Sequence, residues 1–120
     1  MTWDVQSRIA FVRLHTDISM TADDAILLAE ALHGWIGSER RPFALLVDAS
    51  RVSALDSGFR ATWGKFFRYH RGYSSLALFN AGPIVCIAAE MFRIGIGVPV
   101  KTFADEADAR CWLQPRRLFT

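Results

Sequence analysis

The chain has 120 residues, 52% of them apolar and 22% charged, with a formal net charge of only +2. That balance predicts one folded domain over residues 1–120 with a substantial core, and excludes disorder except in a short flexible tail at 116–120. No apolar run reaches the roughly 18 residues that cross a bilayer, because Glu90, Arg93 and Lys101 interrupt the C-terminal half. The start, MTWDVQSR, lacks the basic-then-apolar pattern of a secretory signal, so a cytoplasmic location, at most peripheral to a membrane, is expected.

Residues 2–6 and 8–14 alternate as strands, with Gln6-Ser7 as their turn. The second strand places Ile9, Phe11 and Arg13 on one side and Ala10, Val12 and Leu14 on the other. Thr21 is placed to cap a helix running to Trp35 or Ile36, with Asp23 and Asp24 meeting the free N–H groups of its first turn. Ala25, Leu28, Ala29, Leu32 and Ile36 form its apolar face, and Gly37 ends it.

Residues 43–47 are continuously apolar, as suits a central strand covered by helices. Asp48 closes that strand, and after a short connection Asp56, Ser57 and Gly58 open the next helix, which runs to about His70. Phe59, Trp63, Phe66 and Phe67, with Tyr69 or His70, supply its packing side. Arg60, Gly64, Arg68 and Arg71 recur along another side at intervals of four, four and three. The aromatics are expected in the core, since a base-stacking platform needs exposed rings, so the chain carries no specific nucleic-acid signal.

Residues 74–79 are the next strand. Pro83 stands at the first turn of an apolar helix over 84–94, which needs cover on both sides or a contact with a second copy. Gly95 and Gly97 release the chain into a strand over 98–103, and Asp105, Glu106 and Asp108 start a last helix that Pro115 stops. The order β(β)αβαβαβα predicts an α/β fold: a small two-layer sandwich with a mostly parallel or mixed sheet of four to five strands and about four helices.

Charge is uneven along this fold. Residues 1–56 carry eight acids and five bases, residues 57–120 four acids and nine bases, and no acid stands between Ser57 and Ala89. Arg60, Lys65, Arg68 and Arg71 therefore form either a solvated helix face or a surface that steers an anionic partner. No CxxC, HExxH, P-loop or GxGxxG pattern occurs, so no metal or cofactor is expected. Cys86 and Cys111 fall in separate predicted helices and are expected as buried free thiols; an exported protein could instead pair them. His15, His33 and His70 are scattered, and none has an evident local relation to Ser57, so no catalytic residue is assigned. A Ser–His–Asp hydrolase drawing on one of them is the remote enzymatic alternative.

Four segments carry a family resemblance: TADD after the N-terminal strands, FALLVDAS, HRGYSSLALF and VKTFADEADARCWL. They resemble the STAS domain, typified by bacterial anti-sigma factor antagonists and the sulphate-transporter tail. The likeness is greater to the antagonist-like branch grouped with lipid-binding CRAL-TRIO (SEC14-like) domains, and it covers nearly the whole chain. It implies a noncatalytic regulatory domain in a signalling or stress-response pathway. In phosphorylatable members the serine directly after an aspartate, in an Asp-Ser-Ser-Gly-like motif, accepts phosphate from a partner kinase. That role falls on Ser57 after Asp56, although here Gly58 follows at once and the second serine is missing. Ser57 otherwise acts as a helix cap.

Three binding roles follow. The first is a protein-binding surface of Asp48, Asp56, Ser57, Gly58, Arg60, Arg68 and Arg71. The second is a lipid or small apolar ligand site, or a membrane-facing helix, using Ile84, Ile87, Met91, Phe92 and Ile94. The third is a homodimer through Trp3 and the N-terminal strand or through the 84–94 helix.

Overall fold

The computed structural model describes residues 2–13, 18–20, 22–37, 41–55 and 57–113. Strand β1 (Thr2–Asp4) turns back antiparallel onto β2 (Ile9–Arg13). No glycine is available at this turn. Arg8 takes a positive φ of 55°, and Asp4 Oδ1 accepts the N–H groups of Gln6 at 3.0 Å and Ser7 at 3.3 Å.

After β3 (Ile18–Met20) come α1 (Ala22–Ile36), β4 (Phe43–Asp48), β5 (Val52–Leu55), α2 (Ser57–Tyr69), β6 (Ser74–Phe79), α3 (Pro83–Ile96), β7 (Val100–Phe103) and α4 (Glu106–Leu113). The main sheet runs β1-β2-β4-β6-β7, parallel except for the β1 hairpin. This is the expected α/β fold, with a mixed five-stranded sheet and four helices. β3 and β5 form a separate parallel pair. Residues 52–55 are thus a strand where the sequence suggested a connection, and 18–20 form a strand where none was predicted. Each is too short to show a period, and their pairing joins segments far apart in the chain.

Side-chain alternation divides the core in two. Ala10 and Val12 of β2, Phe43 and Leu45 of β4, and Leu76 and Leu78 of β6 face α1, α2 and α3. Ile9, Ala44, Leu46, Ala77 and Phe79 face the other way, where Ala109 and Leu113 of α4 cover them. A central strand buried on both faces has no polar side to display, which is why residues 43–47 read as an unbroken apolar run.

Helix ends follow local chemistry. Gly37 and Gly97 enter the left-handed region at φ 74° and 68°, and each N–H bonds back to the carbonyl four residues earlier, at His33 and Arg93. Gly95 stays helical, so α3 runs two residues beyond the predicted end at Ile94. Thr21, the predicted cap of α1, lies outside the described residues, as do 114–120 with the expected tail.

Candidate functional site

Helix α2 has two unlike sides. Trp63, Phe66 and Phe67 are buried, and their rings meet edge-on or tilted at centroid distances of 5.0–5.6 Å. The aromatics are core side chains. At the end of the helix His70, not Tyr69, turns inward: His70 is 3% exposed and Tyr69 71%. His70 lies against Phe43, Phe66 and Tyr73, with its Nδ1 2.5 Å from the Tyr73 hydroxyl.

The opposite side carries the cations. Gly64 is buried between Arg60 and Arg68 and faces α3; a Cβ there would lie 3.8 Å from Ile96 Cγ2, an ordinary van der Waals contact. The resulting α2–α3 groove encloses about 250 Å³. Ala61, Gly64 and Gly95 keep it open, and Arg60, Lys65 and Arg68 give it positive charge. None of these three cations forms a salt bridge among the described residues. Arg60 Nε is shut off from solvent and meets no hydrogen-bond acceptor among them either.

Beside the groove, between the helices and the sheet, lies an apolar cavity of about 80 Å³. Val12, Leu45 and Leu78 line it from the sheet, Trp63 and Phe67 from α2, and Val85 and Ala88 from α3. Arg60 and Phe92 belong to the walls of both spaces.

Of the helix residues expected to line an apolar pocket, only Phe92 does so. Ile84, Ile87, Met91 and Ile94 are 60–71% exposed and form an outward stripe on α3. The sequence could not tell the two sides apart, because both are apolar. Trp3 stacks on Trp35 of α1 at 5.9 Å and packs against the main core, so it is engaged within the chain.

The residues of the predicted protein-binding surface do not all share one face. Asp48 follows Ala44 and Leu46 in the alternation of β4 and projects to the side of α4. There it pairs with Arg13 at 3.3 Å, while its Oδ1 accepts the N–H of Ser50 at 3.1 Å. Arg13 also meets Glu106 at 3.4 Å, and Glu106 holds Arg110 at 2.7 Å. Alternation shared with Arg13 was the available sequence signal for this placement. Asp56 lies outside the described residues. Ser57 is the exposed first residue of α2, Gly58 accepts the Thr62 hydroxyl at 3.0 Å, and Arg71 is exposed just past the helix. Lys65, counted among the helix cations from sequence but not in the protein-binding set, belongs to the groove.

A triad built on Ser57 finds no support from two of the histidines. α2 has 13 residues, so about 20 Å separates Ser57 from His70 at its other end. His33 sits beside His70, with ring centroids 5.1 Å apart; His15 lies outside the described residues. Among the described residues no three His, Cys, Asp or Glu side chains gather to hold a metal ion. Both cysteines are free, but Cys111 is exposed and only Cys86 is partly buried, because α4 covers the sheet with Ala109 and Leu113 instead.

A family model described as SpoIIAA-like matches residues 11–114. No curated protein and no solved structure matches the chain.

Proposed function

The chain belongs to the SpoIIAA-like family, and on that premise we propose that it is a noncatalytic regulatory domain that binds a protein partner through the cationic side of α2. The carrying observation is the set of Arg60, Lys65 and Arg68 around one groove, with no salt bridge among the described residues. Such a patch attracts an acidic partner at long range and orients it on approach. Ser57 extends the surface at the start of the helix. A phosphate there would add close to two negative charges one turn before Arg60, and so would weaken an acidic partner's hold. Asp56 and Gly58 flank that switch; Arg71 continues the cationic side.

Capture from native lysate, repeated with Lys65→Glu/Arg68→Glu, tests the surface. Both side chains are exposed, so the double variant is expected to fold and to lose the wild-type partner. Phosphosite mapping on the captured protein is expected to find Ser57. A folded double variant that keeps the same partner would reject the surface.

A second reading, a binder of a lipid or small apolar ligand, is favoured by the apolar cavity under α2 and α3. Apolar cavities of this kind stay dry and accept apolar guests. A ligand site of that type accords with the SEC14-like branch.

A further inference from the structure

The cavity and the groove share two side chains. Arg60 and Phe92 line the apolar space on one side and the cationic space on the other. Arg60, an aliphatic stem ending in a charge, is suited to walls of both kinds. Its Nε, buried and without an acceptor among the described residues, is a donor on a permanently charged group left unmatched. Buried donors of that kind normally have partners. Lys65 and Arg68, which form no salt bridge among the described residues, complete the cationic rim.

Resting on the apolar-ligand reading, we propose that the two spaces form one site for an amphipathic anion, an acyl chain ending in a carboxylate or a phosphate. The apolar end of the chain enters between Arg60 and Phe92 into the cavity of about 80 Å³, against Trp63, Phe67 and Val85. The anionic end stays in the groove, where Arg60 Nε gains its missing acceptor and Lys65 and Arg68 neutralise the remaining charge. A phosphopeptide or nucleic-acid strand would use the rim and leave the adjoining cavity empty. The shared walls favour the amphiphile.

Calorimetric titration of the full chain with four probes tests this: decanoate, decyl phosphate, decanol and inorganic phosphate, each below its aggregation limit. Decanoate is expected to bind about tenfold or more tightly than decanol, the scale of one hydrogen bond to a charged group. Inorganic phosphate, with charge and no chain, is expected to show no saturable binding. Comparing decanoate with decyl phosphate distinguishes a fatty-acid end from a phospholipid-like one. Arg60→Gln is expected to bring decanoate within about twofold of decanol, because charged and neutral ends then meet a similar rim. Ala88→Leu, which fills the cavity from α3, is expected to weaken both chains alike.

If Arg60→Gln does not fold, Lys65→Gln/Arg68→Gln reads the same discrimination from exposed positions and is expected to narrow it severalfold. Binding of decanol by the wild type as tight as that of both anionic probes, full discrimination in the folded charge variants, or no binding of either decanoate or decyl phosphate overturns the site. Ala88→Leu leaves the cationic rim intact, so partner capture should survive it; that separates failure of this inference from failure of the protein-binding reading.

Discussion

Asp4 closes the N-terminal hairpin with one carboxylate oxygen, which takes two backbone N–H groups of a turn that has no glycine. The bonds at Ser7 and Gln6 favour the ionised form, so its pKa falls below the ordinary aspartate value, with the Ser7 backbone bond the largest cause. A carboxyl whose pKa is lowered by folding contributes stability above its unfolded value, about 4, and loses that contribution as pH falls through the lower folded value. Urea unfolding of the wild type and Asp4→Ala should therefore diverge most at neutral pH and converge as the solution is acidified toward pH 2. A gap that stayed constant over that range would show that the carboxylate's charge does not hold the turn. Asp48 illustrates the same preference for local backbone donors, since Ser50 N–H and Arg13 satisfy it on the α4 side. Its residue type suggested a binding-surface acid; its strand parity puts it beside Arg13 on the α4 side.

Helix α3 carries isoleucines on opposite sides, and the same substitution on each side separates core from surface. Ile96 is 2% exposed beneath the sheet-facing side, and Ile87 is 62% exposed on the outer stripe. Ile96→Ala is expected to cost about 2–5 kcal/mol of unfolding free energy. Ile87→Ala should change it by no more than about 0.5 kcal/mol. Denaturant melts over a range of protein concentrations measure both, and a cost at Ile87 approaching that at Ile96 would mean the outer stripe is covered, as in the homodimer that is one of the alternatives the sequence leaves open. The elements themselves were legible where a period ran long enough: β6 spans residues 74–79 as read, and α1 and α2 end near their expected limits. β3 and β5 were hidden because a strand of three or four residues has no measurable alternation. For the site, the intervals of Arg60, Gly64 and Arg68 already placed them on one side of α2. The burial of Arg60 Nε was not legible, since it depends on where α3 crosses that side, and no local pattern encodes a crossing.

Over the whole molecule the sheet is covered unequally. Three helices press on one face with Leu32, Phe67 and Val85 all nearly inaccessible, while the other face has a single helix of eight residues. Around α4 the cover is completed by long cations: the guanidinium groups of Arg13 and Arg110 lie 4.9 and 5.4 Å from the Phe11 ring. In the ion pairs from Asp48 through Arg13 and Glu106 to Arg110 only Asp48 is well shielded, and the three partners on the way to α4 are 37–51% exposed, so the pairs guide the docking of α4 more than they secure it. A short helix held by Ala109 and Leu113 has little buried area to lose when it lifts away. Native-state hydrogen exchange should show α4 opening at lower free energy than β4 and β6, whose amides are sealed in the middle of the ladder. Leu113→Ala should widen that difference and leave the exchange of α2 and α3 nearly unchanged, because those helices share the other core. Equal protection of α4 and β4 would instead make the two faces one cooperative unit, and a ligand between α2 and α3 would then be felt across the sheet.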